Sequence, residues 1–364
     1  MRKLVVSFAA GLFMVCPPVL ADASLYAGKT LRVIVNFAPG GAADAEARLF
    51  ARFIGTSIPG NPQVIAQNIA GGGGLAGANY VGRAAPDGLT LGYLTGAGAR
   101  ATFEPELFQT PFAQFRMIAY VEGATIYYAR RNLKPRLAKA ADIVKAENLY
   151  IGGVSAGASK DLTMRLTLEM LGIKPGYITG YSGTGPLRLA FDSGEVGMLS
   201  DGRATYNTSI APMVEAGEVL PLYVDTGYDG ANLFTPKGNR DMGLPPFHQF
   251  HQEIMGRPPS GQLWDAYLAL LASNTMLQRI IVFPPNVSKA HVDALKAAVT
   301  ALNINREFVD SGTKAFGFVP EYEAGEGTQD KIERMIRVSP QTIEFIKGYI
   351  AQGQSSGASP KGGR

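Results

Sequence analysis

The chain has 364 residues, with 34 Lys+Arg against 30 Asp+Glu, a formal net charge of +4 and no basic block along it. This balance excludes the electrostatic footprint of a nucleic-acid binder, and no nucleic-acid partner is expected. One cysteine, Cys16, and three histidines, at 248, 251 and 291, leave little for disulfides, thiolate nucleophiles or metal ligation; no cofactor and no metal is expected.

Met1-Arg2-Lys3 is followed by an apolar run from Leu4 to Val15 and then by Pro17-Pro18-Val19-Leu20-Ala21. A basic start, a short apolar core and a small-x-small site at Val19 and Ala21 make a secretory signal over residues 1–21, with Ala23 as the alternative cut. The run falls short of the roughly 20 apolar residues a membrane span needs. Cys16 follows Val15, not the small residue a lipoprotein requires, so the mature chain is expected to be periplasmic, soluble and free of thiols. Roughly 340 mature residues exceed one ordinary core and point to two lobes.

Thr30 to Phe37 is rich in β-branched residues and reads as a buried strand, broken by Ala38-Pro39-Gly40-Gly41. A helix follows from about Asp44, with Leu49, Phe50, Phe53 and Ile54 on one face and Gly55 as its stop. Pro62 to Gln67 is a second strand, ending in the glycines 71–74. A helix over 75–84 leads through Pro86-Asp87-Gly88 into the strand Thr90 to Leu94. The pattern resumes with a strand over 124–129, a helix near 138–146, a strand over 149–153 and a helix from about Asp161 to Leu171. A strand from Gly176 to Tyr181, a helix from Pro186 to Ser193 and strands at 196–199 and 219–224 complete it. Residues 225–259, rich in Gly, Pro and charge, read as an excursion. A late strand at 277–283 precedes helices near 289–303 and 329–336, and residues 352–364 read as a disordered tail. Alternation of strand, glycine loop and helix describes an α/β chain with largely parallel sheets. The expected division is 24–127 plus 277–345 in one lobe and 128–276 in the other, with hinges near Tyr127–Arg130 and Leu277–Phe283.

In open α/β sheets ligands bind beyond the carboxyl ends of strands, where glycine loops meet helix N-termini. Three loops here fit that description. Pro39, Gly40, Gly41, Ala42, Ala43 and Asp44 form the first: its glycines let backbone approach a ligand, and Asp44 is the natural N-cap. Ser155, Ala156, Gly157, Ala158 and Ser159 form the second, whose small residues and hydroxyls suit a carboxylate or phosphate. Tyr181, Ser182, Gly183 and Thr184 form the third, with Pro186 suited to a first helical turn. The second loop also spells Gly153-x-Ser155-x-Gly157, the nucleophile elbow of α/β-hydrolases. Asp201 or Asp225 with a later histidine satisfies the order a triad needs, but no His-Gly-Gly oxyanion segment exists and the histidines are poorly placed. The glycines 71–77 lack the acidic residue a dinucleotide fingerprint requires.

Taken together, the segments 35–44, 67–74, 76–80, 84–90, 180–183, 193–196 with Asp201, and 283–288 resemble the substrate-binding receptors of tripartite tricarboxylate transporters, of the TctC or Bug type. The resemblance implies a two-lobed periplasmic binding protein type II (Venus flytrap) fold and a non-enzymatic receptor. Such a receptor would hold a small carboxylate-bearing solute and deliver it to the membrane subunits of such a transporter. It implies a ligand carboxylate gripped by main-chain amides and hydroxyls at residues 39–44, 155–159 and 181–184, with Asp201, in a monomer. Ala42-Ala43 departs from the Gly-Thr or Gly-Tyr usual there, which removes a ligand-touching side chain. The alternatives are an exported α/β-hydrolase using Ser155, or a solute-sensing input for a signalling partner.

Overall fold

A computed structural model describes residues 25–358 apart from 124, 226, 229–231, 236–240, 276 and 336; the expected secretory signal lies outside the described residues. The first half of one lobe runs β1 (Thr30–Val35), α1 (Ala42–Ser57), β2 (Gln63–Asn68), α2 (Leu75–Gly82), β3 (Thr90–Leu94), α3 (Ala97–Phe103) and β4 (Arg116–Val121). The chain then builds a second sheet from β5 (Thr125–Arg130), β6 (Tyr150–Gly153), α4 (Ser159–Met170), β7 (Gly176–Thr179), α5 (Thr184–Ser193), β8 (Met198–Gly202), α6 (Arg203–Thr205), α7 (Ala211–Glu215) and β9 (Val219–Val224). A small hairpin, β10 (Gly227–Tyr228) and β11 (Leu233–Phe234), precedes α8 (Phe247–Met255) and α9 (Gln262–Asn274). The return to the first sheet is β12 (Arg279–Phe283), α10 (Lys289–Leu302), α11 (Arg306–Phe316), β13 (Tyr322–Glu323) and α12 (Thr328–Met335), and α13 (Pro340–Ser356) ends the described chain.

The strand orders are β13-β4-β12-β3-β1-β2 in the first sheet and β7-β6-β8-β5-β9 in the second. β1 pairs in parallel with β2 and β3, and β6 with β7 and β8; β12 and β5 run antiparallel to their neighbours. Both sheets are covered on both faces, which is why their strands read as continuous apolar runs. In β1, Leu31, Val33 and Val35 point to the side holding Phe50, Phe308 and Leu295, whereas Ile34 points to the side holding Val81 and Phe115. Tyr127 and Tyr128 of β5 divide in the same way between the two cores of the second sheet.

The chain leaves the first sheet after β4 and returns to it at β12, and between the two the Gly123 N–H donates to the Thr275 carbonyl at 2.8 Å. The first crossing precedes the expected hinge, because Tyr127–Arg130 lies within β5; the second meets the expected one at Leu277 and Gln278, the rest of which is β12. Residues 125–127, expected with the first lobe, belong to the second sheet.

Two more expectations are corrected. The excursion at 225–259 contains α8, and α9 follows it; their Phe247, Phe250, Tyr267 and Leu270 are buried in the second lobe's core. The tail is not disordered from Gln352: α13 continues to Ser356 and Ala358 bridges Ile178, while residues 359–364 lie outside the described ones. α13 packs on the second lobe, with Ile346 and Ile350 buried beside α9. Arg165 donates to the Tyr349 carbonyl at 2.9 Å and lies over the Tyr349 ring at 4.4 Å.

Where β9 ends, Asp225 is buried among tyrosines. Tyr267 donates to its Oδ1 at 2.6 Å and Tyr127 to its Oδ2 at 3.1 Å. Burial pushes the Asp225 carboxyl up to about 7 in spite of those hydrogen bonds. A carboxyl whose folded value lies above its unfolded value stabilises the fold below the unfolded value and loses that contribution as pH rises through the folded one. We therefore expect the stability of the native protein relative to Asp225→Asn to fall between about pH 4 and pH 7, by on the order of a few kcal/mol. Urea unfolding of both proteins across that range measures it, and parallel profiles would contradict it.

Candidate ligand-binding site

Each of the three loops ends at a helix whose first turn lacks a side-chain cap. α1 starts from Gly41, in an extended conformation with φ −94° and ψ 171°. Asp44 is therefore not the N-cap but the third helical residue, and it faces away from the cleft. Its Oδ2 accepts the Gly40 N–H at 3.1 Å, its Oδ1 accepts Asn68 Nδ2 at 2.9 Å, and Arg48 pairs with it at 3.0 Å. Burial alone would raise its carboxyl, but hydrogen bonds from Arg48, Asn68 and Gly40 outweigh that and hold it below the usual range. α4 starts from Ala158 and α5 from Gly183, again without a side-chain cap. Asp161 shapes the second loop by accepting the Ser155 N–H at 3.0 Å and the Tyr177 hydroxyl at 2.9 Å, and burial pushes its carboxyl up to about 6.

These three N-termini open into one cavity between the lobes, about 100 Å³ in volume. That is on the scale of the ~150 Å³ cavity that accommodates benzene. Phe37, Val154, Leu187 and Leu199 give it apolar walls. The lobes touch around it. A β-carbon added at Gly41 would lie 2.2 Å from Thr184 Oγ1, one at Gly73 would lie 2.5 Å from Ser155 Oγ, and one at Gly183 would meet Ala38 at 3.3 Å.

The expected site residues divide by position. Gly41, Ala42, Ala43, Ala158, Ser159, Thr184 and Asp201 line the cavity. Pro39 and Gly40 are exposed beside it, and Asp44 lies behind the loop. Ser155 and Gly157 face the other lobe's Gly73, Arg100 and Glu104, while Ala156 is in the second lobe's core. Tyr181 turns into the apolar cluster around Ile178 and Phe191, Ser182 is exposed, and Gly183 packs on Ala38.

Several polar groups of the wall were not expected from the sequence. Arg100 on α3 pairs with Glu104 at 2.8 Å, with both side chains largely buried. Arg279 starts β12 and holds buried Glu46 through two contacts of 3.0 Å. Lys160 follows Ser159 on α4 and stands 3.6 Å from Asp201 Oδ1. Buried hydroxyls of Thr95 and Ser159 also line the cavity without a hydrogen-bond partner. One signal was available for Arg279: a charge beginning the apolar run Ile280-Ile281-Val282-Phe283 needs a buried partner.

A hydrolase is not what this arrangement builds. Ser155 Oγ accepts from Arg100 at 3.4 Å; Asp201 is held by Tyr128 and Arg188, and Asp225 by tyrosines. His251 bonds the Arg257 carbonyl and His291 bonds Ser288, each at a separate place in the fold.

The profile described as "Tripartite tricarboxylate transporter family receptor" (TctC) matches residues 56–231. A protein of the TAR-I ttuE-ttuC' intergenic region of Agrobacterium vitis is 30% identical over 206 residues, spanning 55% of this chain and 58% of that one. The chain thus aligns with little more than half the length of that relative. Among solved structures, the periplasmic binding protein BugD superposes with a TM-score of 0.65 at 22% identity, covering 89% of this chain and 98% of its own. MatC of Rhodopseudomonas palustris, solved with bound malate, gives 0.59 at 20% identity, covering 89% and 99%. At these identities the two structures establish the periplasmic binding protein fold. Over residues 56–231 the chain is similar to the tripartite tricarboxylate transporter receptors of the TctC/Bug type.

Proposed function

We propose that this protein is a non-enzymatic periplasmic receptor that captures a small carboxylate-bearing solute and delivers it to the membrane subunits of a tripartite tricarboxylate-type transporter. The observation that carries this reading is the convergence of the uncapped N-termini of α1, α4 and α5 on one cavity between lobes. Free main-chain amides and the positive helix ends favour an anion there, each helix contributing roughly 0.3–1 kcal/mol when exposed and up to ~2 when partly buried. A net charge of +4 spread over 364 residues attracts an anion only weakly, so a local device must hold it. The amides of residues 41–43 are the main-chain grip, with Ser159 and Thr184 adding hydroxyls. Malate in MatC supports the ligand class. The basic-apolar-small order from Arg2 to Ala21 supports export, and no helix among the described residues is long and apolar enough to cross a membrane.

A thermal-shift screen of small mono-, di- and tricarboxylates and aromatic acids tests the reading. A true ligand at about 100-fold above its Kd should raise Tm by roughly 4 °C. Simple esters should not be hydrolysed. Ester hydrolysis abolished by Ser155→Ala, with no acid shifting Tm, would replace the receptor with a hydrolase.

A further inference from the structure

At the far wall of the cavity, Asp201 is nearly fully buried, and its two oxygens have different surroundings. Oδ2 is saturated: the Tyr128 hydroxyl and Arg188 each donate to it at 2.6 Å. Oδ1 accepts no hydrogen bond, and the nearest cation, Lys160 Nζ, stands 3.6 Å away. Both residues line the cavity, so a fixed acceptor and a fixed donor sit side by side in its wall. Gly202, the next residue, lies against the first turn of α1: a β-carbon there would be 3.6 Å from the Ala42 β-carbon. The acceptor–donor pair therefore adjoins the amides that hold the carboxylate.

We propose that this pair selects short hydroxy acids, the ligand hydroxyl donating to Asp201 Oδ1 while its oxygen accepts from Lys160 Nζ. This rests on the carboxylate-receptor reading and names the substrate class within it. A second carboxylate in the same place has no proton to donate and meets Oδ1 as a like charge. An ammonium group satisfies Oδ1 but faces the Lys160 ammonium and offers it no acceptor. A hydroxyl both donates and accepts, so it satisfies both wall groups. Leaving a buried acceptor unpaired is what makes a polar pocket reject the analogue lacking a hydroxyl.

Calorimetry on the mature protein with matched acids tests this: malate against succinate and aspartate, and lactate against propionate and alanine. The hydroxy member of each set should bind about 10- to 150-fold tighter than its deoxy partner, the range expected of a hydrogen bond to a charged group. Lys160→Met and Asp201→Asn should each reduce that ratio to within about threefold. The native comparison requires no variant, and Lys160 is one-third exposed, so its replacement spares the Asp201–Arg188 contact. Deoxy acids binding as tightly as hydroxy acids, or an undiminished ratio in Lys160→Met, would overturn the proposal and leave the carboxylate reading standing. Failure of every acid to bind would overturn that reading as well.

Discussion

Gly41→Val should abolish ligand binding while the protein stays folded. The backbone at Gly41 has φ −94° and ψ 171°, a conformation that any residue adopts, so valine brings no backbone strain there. The obstacle is the other lobe. A β-carbon at this position falls 2.2 Å from Thr184 Oγ1 and 3.4 Å from Thr184 Cβ, and valine adds two methyl groups beyond it. Separating the lobes relieves that clash at little cost to either core, so the variant opens rather than unfolds. An opened cleft loses the α5 side of the grip, and closure by ligand must then work against the clash. The expected loss of affinity is at least about 100-fold, equivalent to roughly 3 kcal/mol. Asp44→Asn is the control, since Asp44 lies behind the loop and outside the cavity wall; its affinity should stay within about tenfold of native. Calorimetry and Tm on both proteins decide the matter. Normal binding by Gly41→Val combined with none by Asp44→Asn would remove the main-chain grip from the mechanism.

The largest expected effect on stability is at Arg279. Its side chain reaches across to α1 and holds Glu46 through two contacts of 3.0 Å, and both groups are almost wholly buried. Burial raises the Glu46 carboxyl above its ordinary value even with Arg279 beside it. Arg279→Met keeps much of the apolar stem but leaves that buried carboxylate without its cation, with Tyr93 as a remaining hydrogen-bond partner. Breaking a buried pair in this way costs about 3–5 kcal/mol. With the arginine gone, the carboxyl rises further and takes up a proton more readily. The deficit should therefore be greatest at neutral to alkaline pH and shrink as pH falls, levelling off above the ordinary glutamate range, where Glu46 is protonated in both folded proteins. Urea unfolding of native and variant protein at pH 5 and pH 8 gives the comparison. An equal deficit at both pH values would show that lost packing, rather than the stranded charge, is responsible.

Most of the strands that build the two sheets were legible because each is a short β-branched run ended by glycine or proline. Thr30 to Phe37 is one such run, closed by Pro39 and Gly40, and the structure makes Thr30–Val35 of it β1. β4 was missed although Gly123 follows Arg116 to Val121 after a single residue. α9 and α13 were missed because their neighbourhoods are rich in Gly, Pro and Ser, and composition outweighed pattern. For α13 the helical spacing of Ile346, Tyr349 and Ile350, and the Ser339-Pro340 start, were present to be read.

By itself, the sequence determined the fold class and the three loops, since glycine clusters at strand ends must lie where an α/β sheet places its ligand. With Cys16 as its single cysteine, it also determined that no disulfide can form within the chain. Tertiary structure alone decided which loop residues face the cavity, because a three-residue shift of the N-cap, from Asp44 to Gly41, turns Asp44 from cap to buried brace. It alone brought Arg100, Lys160 and Arg279 to one wall, from three elements up to 179 residues apart. It alone separated the two oxygens of Asp201, one saturated by Tyr128 and Arg188 and the other open to the cavity. Local sequence sets backbone direction through short-range sterics, whereas a charged group's partner depends on which distant strand folding brings beside it.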